Sequence, residues 1–228
     1  MSSTCMWTWL GSPTPRPEPV AYTPWVWPIE RSISLPAVSA VTGGWSEASS
    51  TRRSRRTFAP IGLEQIGMLL WHTLYCQRTA ASPLGFALQQ RAIPSAGAIH
   101  PVHLVMQMPD DPATWARYNP LTHALDVMGA STGVLDALRI EADRLVVARP
   151  GSLQLFIAEP AMTAAKYENA DSLVWRDAGV MQGALAMTAE VLGLNYCLLG
   201  ITGDPWVGQL TEQCQLVGVG VAALGARP

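Results

Sequence analysis

The stretch that most constrains this chain runs from Ser172 to Leu192, where Ala178, Gly179, Gly183, Ala184, Ala186 and Ala189 stand among Val180, Met181, Leu185, Met187, Val191 and Leu192. It reads as one long helix that is apolar almost all the way round, and such a helix must be covered on every side. Gly179 and Gly183 lie four positions apart, on one stripe, and let another backbone come close. That backbone is either the chain's own sheet or a symmetry mate, and the spacing leaves both open. With 49% hydrophobic and 14% charged residues in 228, there is enough apolar material for a well-filled core. A mean hydropathy of +0.16 implies that some of the surface is hidden by another subunit.

The first 44 residues have a different character. Trp7, Trp9, Trp25 and Trp27 lie among Pro13, Pro15, Pro17, Pro19, Pro24 and Pro28. Prolines at this density forbid long helices and internal strands. Tryptophans in this number argue against a floppy leader, because each would leave a large apolar surface in water. The reading is an extended arm, residues 1–44, lying in a groove of its own or a neighbouring subunit, followed by one globular domain over 45–228.

Within that domain Ser46 is placed to cap a short helix, and Leu63, Ile66, Leu69, Leu70 and Leu74 mark an amphipathic one. Strands are expected at Val102–Met108, at Ala124–Met128 after the turn Tyr118–His123, at Leu153–Ala158, at Leu194–Leu199 and at Leu216–Leu224. The third of these is nearly continuous in its apolar content and so buried on both faces. Further helices are expected after a Ser131 cap, from Ala161 to Lys166 and around Trp206–Gln213. Gly218 and Gly220 are not followed by a helix and a second strand, which excludes a dinucleotide-binding fingerprint.

The run Arg52-Arg53-Ser54-Arg55-Arg56-Thr57-Phe58 concentrates four guanidinium groups around one hydroxyl. It is a solvated charge run, a nucleic-acid patch or a seat for a phosphorylated cofactor. A net charge of -2, from 15 basic and 17 acidic residues, supplies no wider field for a polyanion and counts against the second. Forked guanidiniums suit phosphate oxygens. Downstream, Pro94-Ser95-Ala96-Gly97-Ala98-Ile99-His100-Pro101 is a small-residue stretch fenced by prolines, able to approach a flat or anionic ligand. His100 and His103 are three apart with a proline between them and no third ligand nearby, so a metal site is not expected. Cys5, Cys76, Cys197 and Cys214 form no C-x-x-C pair, no secretory h-region follows the first residues, and no apolar run reaches 18 residues. Free thiols and a cytoplasmic protein without a membrane span are expected.

Four of these features, in this order, resemble the nitroreductase superfamily of flavin enzymes, and within it the SagB-type azoline dehydrogenases. They are Arg52-x-Ser54-x-Arg56 closing in Phe58, the Pro94–Pro101 loop, Lys166-Tyr167 followed by Asp177-Ala178-Gly179, and Leu198-Leu199-Gly200-Ile201. The resemblance runs from about Trp45 to the end of the sequence. It implies an α+β fold with a central, mainly antiparallel sheet flanked by helices, a homodimer formed around the long helix, and one FMN in each of two interface clefts. It also implies cofactor contacts from Arg52, Arg53, Ser54 and Arg56, from Pro94, Ser95, Ala96 and Gly97 of the loop that covers the flavin from the partner subunit, from Leu199, Gly200 and Ile201, and from Arg227. Arg52, Ser54 and Arg56 alternate and can converge on the cofactor, while Arg53 and Arg55 face solvent or the partner.

The activity implied is oxidation of an azoline-type ring, or a similar activated C–H bond, on a small-molecule, peptide or carrier-bound substrate in natural-product biosynthesis. Lys166 and Tyr167 are the candidates for proton removal. The segment Glu168-Asn169-Ala170-Asp171-Ser172 departs from the aromatic and arginine residues usual there. Two other functions fit the same features: an NAD(P)H-dependent reductase of nitro or quinone compounds, and a flavin-free scaffold subunit of a biosynthetic complex.

Overall fold

The computed structural model of the protein describes residues 11–36, 38, 44–129 and 133–228. Trp7, Trp9, Cys5 and the expected Ser131 cap lie outside them. The elements in chain order are β1 (Thr14–Pro15), β2 (Ile29–Ser34), α1 (Trp45–Thr51), α2 (Leu63–Leu74), β3 (Arg78–Ala80), β4 (Leu88–Gln90), β5 (Val102–Gln107), β6 (Trp115–Asn119), β7 (Ala124–Met128), α3 (Val134–Leu145), β8 (Ser152–Ala158), α4 (Pro160–Ala164), β9 (Tyr167–Glu168), α5 (Asp171–Val191), β10 (Leu194–Leu199) and β11 (Val217–Ala226).

Seven strands form the main sheet in the order β10-β11-β8-β5-β6-β7-β2, every neighbouring pair antiparallel. The interior strand β8 is buried along its whole length, as its sequence predicts. Side chains of a strand alternate between the two faces. Phe156 and Ala158 therefore join α2 and α5 in one core, and Leu153, Leu155 and Ile157 join α3 in the other. The fold class is α+β, with a wholly antiparallel main sheet flanked by helices.

Three expectations are corrected. Helix α1 starts one residue before Ser46, with Gly44 at its N-cap, which places Ala48 at 2% exposure against the body of the protein. The segment around Trp206–Gln213 contains only a 3-10 turn at Val207–Gln209, its apolar residues being drawn into the α3 core. The loop before Pro94 contains the hairpin β3–β4, which the sequence did not signal.

The proline-rich segment packs on its own chain. Thr14–Pro15 pair with β9, and the amides of Val20 and Tyr22 donate to Ala165 O and Leu84 O. Glu159, fully buried, accepts from Tyr22 Oη (2.6 Å) and Trp25 N (2.8 Å). Burial pushes the Glu159 carboxyl up, but its bonds from His103, Tyr22 and Trp25 outweigh that and hold it below the ordinary carboxyl range. β2 then becomes the edge strand of the main sheet. Prolines are excluded from central strands because they cannot donate to the ladder, and an edge position is where a proline-flanked strand can go. Buried Asp126 on β7 fastens it, accepting from Ser32 Oγ (2.5 Å), Asn119 Nδ2 (3.0 Å) and Arg117 (3.2 Å). No helix among the described residues is long and apolar enough to cross a membrane.

Removing one partner of a buried ion pair leaves the other charge stranded, which costs about 3–5 kcal/mol. Asp126→Ala is therefore expected to lower unfolding free energy in urea by that order, and Ser32→Ala by about 1 kcal/mol, the worth of one hydrogen bond. Equal, small losses in both would show that Asp126 does not hold β2.

Candidate functional site

The arginine run leaves α1 in extended conformation at Arg52. It is strapped beside β10 and β11: Arg55 N donates to Tyr196 O, Asn195 Nδ2 to Thr57 O (2.7 Å), and Ala59 pairs with Ala226. Phe58 is buried in the cluster that contains Cys197, Leu199 and Ile201, and Arg52, Arg53, Ser54 and Arg56 are exposed. Gly200 has open space on its α-carbon.

Arg53 is exposed, as expected, whereas Arg55 is half-buried and turns toward α5; both line a recess of about 350 Å³ with Glu190 and Arg227. Glu190 is 9% exposed and forms an ion pair with Arg55, a second at 3.0 Å with Arg227, and accepts from Thr51 Oγ1 at 2.8 Å. A buried carboxylate must be matched by donors, and this demand draws Arg55 inward. Burial pushes the Glu190 carboxyl up; the Arg55 and Thr51 hydrogen bonds and the Arg227 charge more than reverse this, leaving it below its ordinary 4.5. Arg227 is thereby committed to Glu190. Among the described residues Arg52, Arg53 and Arg56 make no ion pair.

The small-residue loop is held from the other end of α5. Ser95 Oγ donates to Asp177 Oδ2 (2.6 Å) and accepts from His100 N (2.9 Å), and Ala96 N donates to the same carboxylate. Burial raises the Asp177 pKa, a shift that the Ser95 and Ala96 bonds oppose without cancelling. His100, pulled down to about 3 by burial and then by nearby Arg91, is neutral, so its Nε2–H donates to Gln89 O. His103 turns to Glu159 instead, so the two histidines do not share a site.

Gly97 has φ +66, which favours glycine, and its α-hydrogen side faces two polar groups. A methyl group there would stand 2.9 Å from Lys166 Nζ and 3.0 Å from Tyr167 Oη. The amine and the phenol thus converge on the loop, with Nζ 5.6 Å from the Tyr167 ring centre. Lys166 is also the only lysine in the whole sequence, the other 14 of its 15 basic residues being arginine. That count was available from the sequence and marks the position more sharply than any spacing does.

Sequence-predicted residues therefore form two groups. Arg52, Arg53, Ser54, Arg56 and Arg227 gather near the Glu190 end of α5, and Pro94, Ser95, Ala96, Gly97, Lys166 and Tyr167 near its Asp177 end; Leu199, Gly200 and Ile201 lie between, at the far end of β10, where Leu199 pairs with Val221 and the neighbouring Gly220 stands against Gln182. Asp177 and Glu190 are thirteen positions apart, about 20 Å along a helix axis. Between them the outward face of α5 is not covered by the described residues: Gly179, Val180 and Gly183 are exposed and line an apolar groove of about 520 Å³ that also includes Pro94.

No protein-family model and no curated protein sequence matches the chain. Solved structures do. The chain aligns with a nitroreductase-family protein of Ralstonia eutropha JMP134 at 20% identity and TM-score 0.62, over 92% of this chain and 98% of that one. It is similar to part of the Escherichia coli microcin synthetase McbBCD complex, solved with truncated pro-MccB17 bound, at 16% identity and TM-score 0.54, over 85% and 76%. A nitroreductase-family protein of Desulfovibrio desulfuricans in complex with FMN gives 16% and 0.51, over 79% and 84%. The fold is nitroreductase-like.

A carboxyl whose pKa is depressed in the folded state stabilises the protein above its unfolded pKa and ceases to do so as pH falls through the folded value. Glu190→Gln is accordingly expected to lower the melting temperature at neutral pH, with the gap to wild type closing as pH falls below 4.5. A gap that is constant with pH would mean that the carboxylate charge is not what holds Arg55 and Arg227.

Proposed function

We propose that the protein is an FMN-dependent oxidase or dehydrogenase that removes a proton and a hydride from an azoline-type ring or a similarly activated C–H bond. The observation that carries this reading is the sole lysine, set beside a tyrosine against a glycine loop. Arginine stays protonated in proteins, whereas lysine can give up its proton when its surroundings require it. A chain that uses arginine for every other basic role places its one side-chain amine here.

The donor set fits the cofactor. Arg52, Arg56 and Ser54 offer exposed side-chain donors that make no bond among the described residues, suited to a phosphate. The bare backbone at Gly200 leaves room beside Leu199 and Ile201 for a flat ring. When bound, FMN would supply the hydride acceptor, and dioxygen would reoxidise it. The chain's own residues do the rest: the arginines and Ser54 hold, the loop covers, and Lys166 with Tyr167 takes the proton from carbon at Nζ or Oη.

The two groups of residues complete one another only across a second copy. A homodimer packed on the outward face of α5, with Gly179 and Gly183 at the contact, would bring the Pro94–Gly97 loop of one copy to the arginine run of the other. The exposed apolar groove and the 20 Å separation along α5 support this arrangement. The similarity to a microcin synthetase supports a place in natural-product biosynthesis.

Arg52→Ala with Arg56→Ala is expected to abolish FMN uptake, followed by flavin absorbance, while the protein stays folded. A colourless wild-type protein that takes up no added FMN would favour the scaffold function. Lys166→Arg keeps the charge but stays protonated and cannot act as a base; it should stay yellow and lose about 10²–10⁴-fold in turnover on azoline compounds, the usual worth of a general base. Undiminished turnover would remove Lys166 from that role. Rapid bleaching of the flavin by NAD(P)H, with no peroxide formed from azolines, would point to the reductase instead.

A further inference from the structure

Lys166 sits between two of the shortest elements in the chain. Helix α4 has five residues and β9 has two. Neither can hold its shape alone, since isolated helices need about 12–15 residues and sheets need three or more strands. The main chain of Lys166 makes one local bond, from its N–H to Thr163 O. Its carbonyl is held from outside, by Arg16 N at 2.8 Å.

Arg16 does more than pair its backbone. Its Nε donates to Ala164 O at 2.7 Å, capping one of the carbonyls that a helix end leaves free. Its guanidinium also lies 3.6 Å from Glu168 Oε1, on the far side of Lys166. Pro15 and Thr14, immediately before it, pair with Tyr167 and Glu168, and Val20 N reaches Ala165 O. Every residue from Ala164 to Glu168 thus receives a contact from the arm, and Arg16 alone spans the stretch from one end to the other.

We infer that Arg16 is the positioning residue for the Lys166–Tyr167 pair: the arm acts as an internal strap that holds the amine and phenol against Gly97. The assignment rests on the reading of that pair as the proton-removing groups and deepens it. A guanidinium reaches Ala164 O and Glu168 from two separate nitrogens held in one plane, whereas a lysine carries all its donors on one nitrogen.

Because the chain has one lysine, amine acetylation reports on this site without flavin or substrate. Full-length wild type, Arg16→Ala and Arg16→Lys are treated with limiting N-hydroxysuccinimide acetate, and modification of the peptide carrying Lys166 is timed by mass spectrometry, alongside thermal unfolding. The expected result is that Arg16→Ala speeds Lys166 acetylation about tenfold, the factor that corresponds to about 1.4 kcal/mol of lost local restraint. Arg16→Lys should fall between, because an ammonium can still cap Ala164 O, and both variants should melt near wild type. Wild-type acetylation rates in folded Arg16→Ala overturn the inference. If Arg16→Ala does not fold, Arg16→Lys decides: an intermediate rate supports the strap and a wild-type rate overturns it. Failure here leaves the flavin reading standing; failure of FMN uptake removes the pair's role in proton removal but not the acetylation difference, so the two failures are told apart.

Discussion

Asp177 and Glu190 stand toward the two ends of α5, and each ties down a segment that has no regular structure of its own. At one end Asp177 takes Ser95 and Ala96, and so sets the loop against which Lys166 and Tyr167 lie. At the other, Glu190 takes Thr51, Arg55 and Arg227, and so fixes the run that carries Arg52, Ser54 and Arg56. Glu190 is buried and Asp177 half-buried, so an unmatched charge there would be costly and the donors that satisfy them are held in place. The helix can perform this service because its inner face, Val174, Ala178, Met181, Leu185 and Ala189, is packed against the sheet and α2.

Much of this was legible in the sequence. The continuous apolar run of β8, the leucine spacing of α2 and the fenced loop 94–101 are local signals, each contained within a dozen residues. The destination of Arg55 was not legible, because Glu190 is 135 positions away and a buried carboxylate near the end of an apolar helix announces no partner. The path of the proline-rich segment was hidden for the same reason. Its contacts with Lys166, Ala165 and Leu84 are backbone bonds, and side-chain patterns say nothing about where an amide will find its carbonyl. The early start of α1 came from the burial of Ala48, a tertiary demand that overrode the choice of Ser46 as a cap.

The lysine count shows a different limit. Position 166 was singled out by the company it keeps, yet its strongest mark is compositional: one lysine against 14 arginines. Geometry adds that its amine and the neighbouring phenol point at one glycine. The proposed chemistry needs that convergence on one side of a flat ligand and the phosphate donors at its tail, and in a single chain these lie at opposite ends of α5.

The claim at the centre of the account is that each site is built from two chains, and mixing two inactive variants tests it directly. One partner carries Arg52→Ala and Arg56→Ala, the other a loop variant at Ser95 and Gly97; heterodimers are isolated by distinct affinity tags and their bound FMN is counted. If the sites are shared across α5, one site in each heterodimer has both halves intact and the preparation recovers one FMN per heterodimer. If each site lies within one chain, every site in the mixture is damaged, and a heterodimer without FMN would contradict the account.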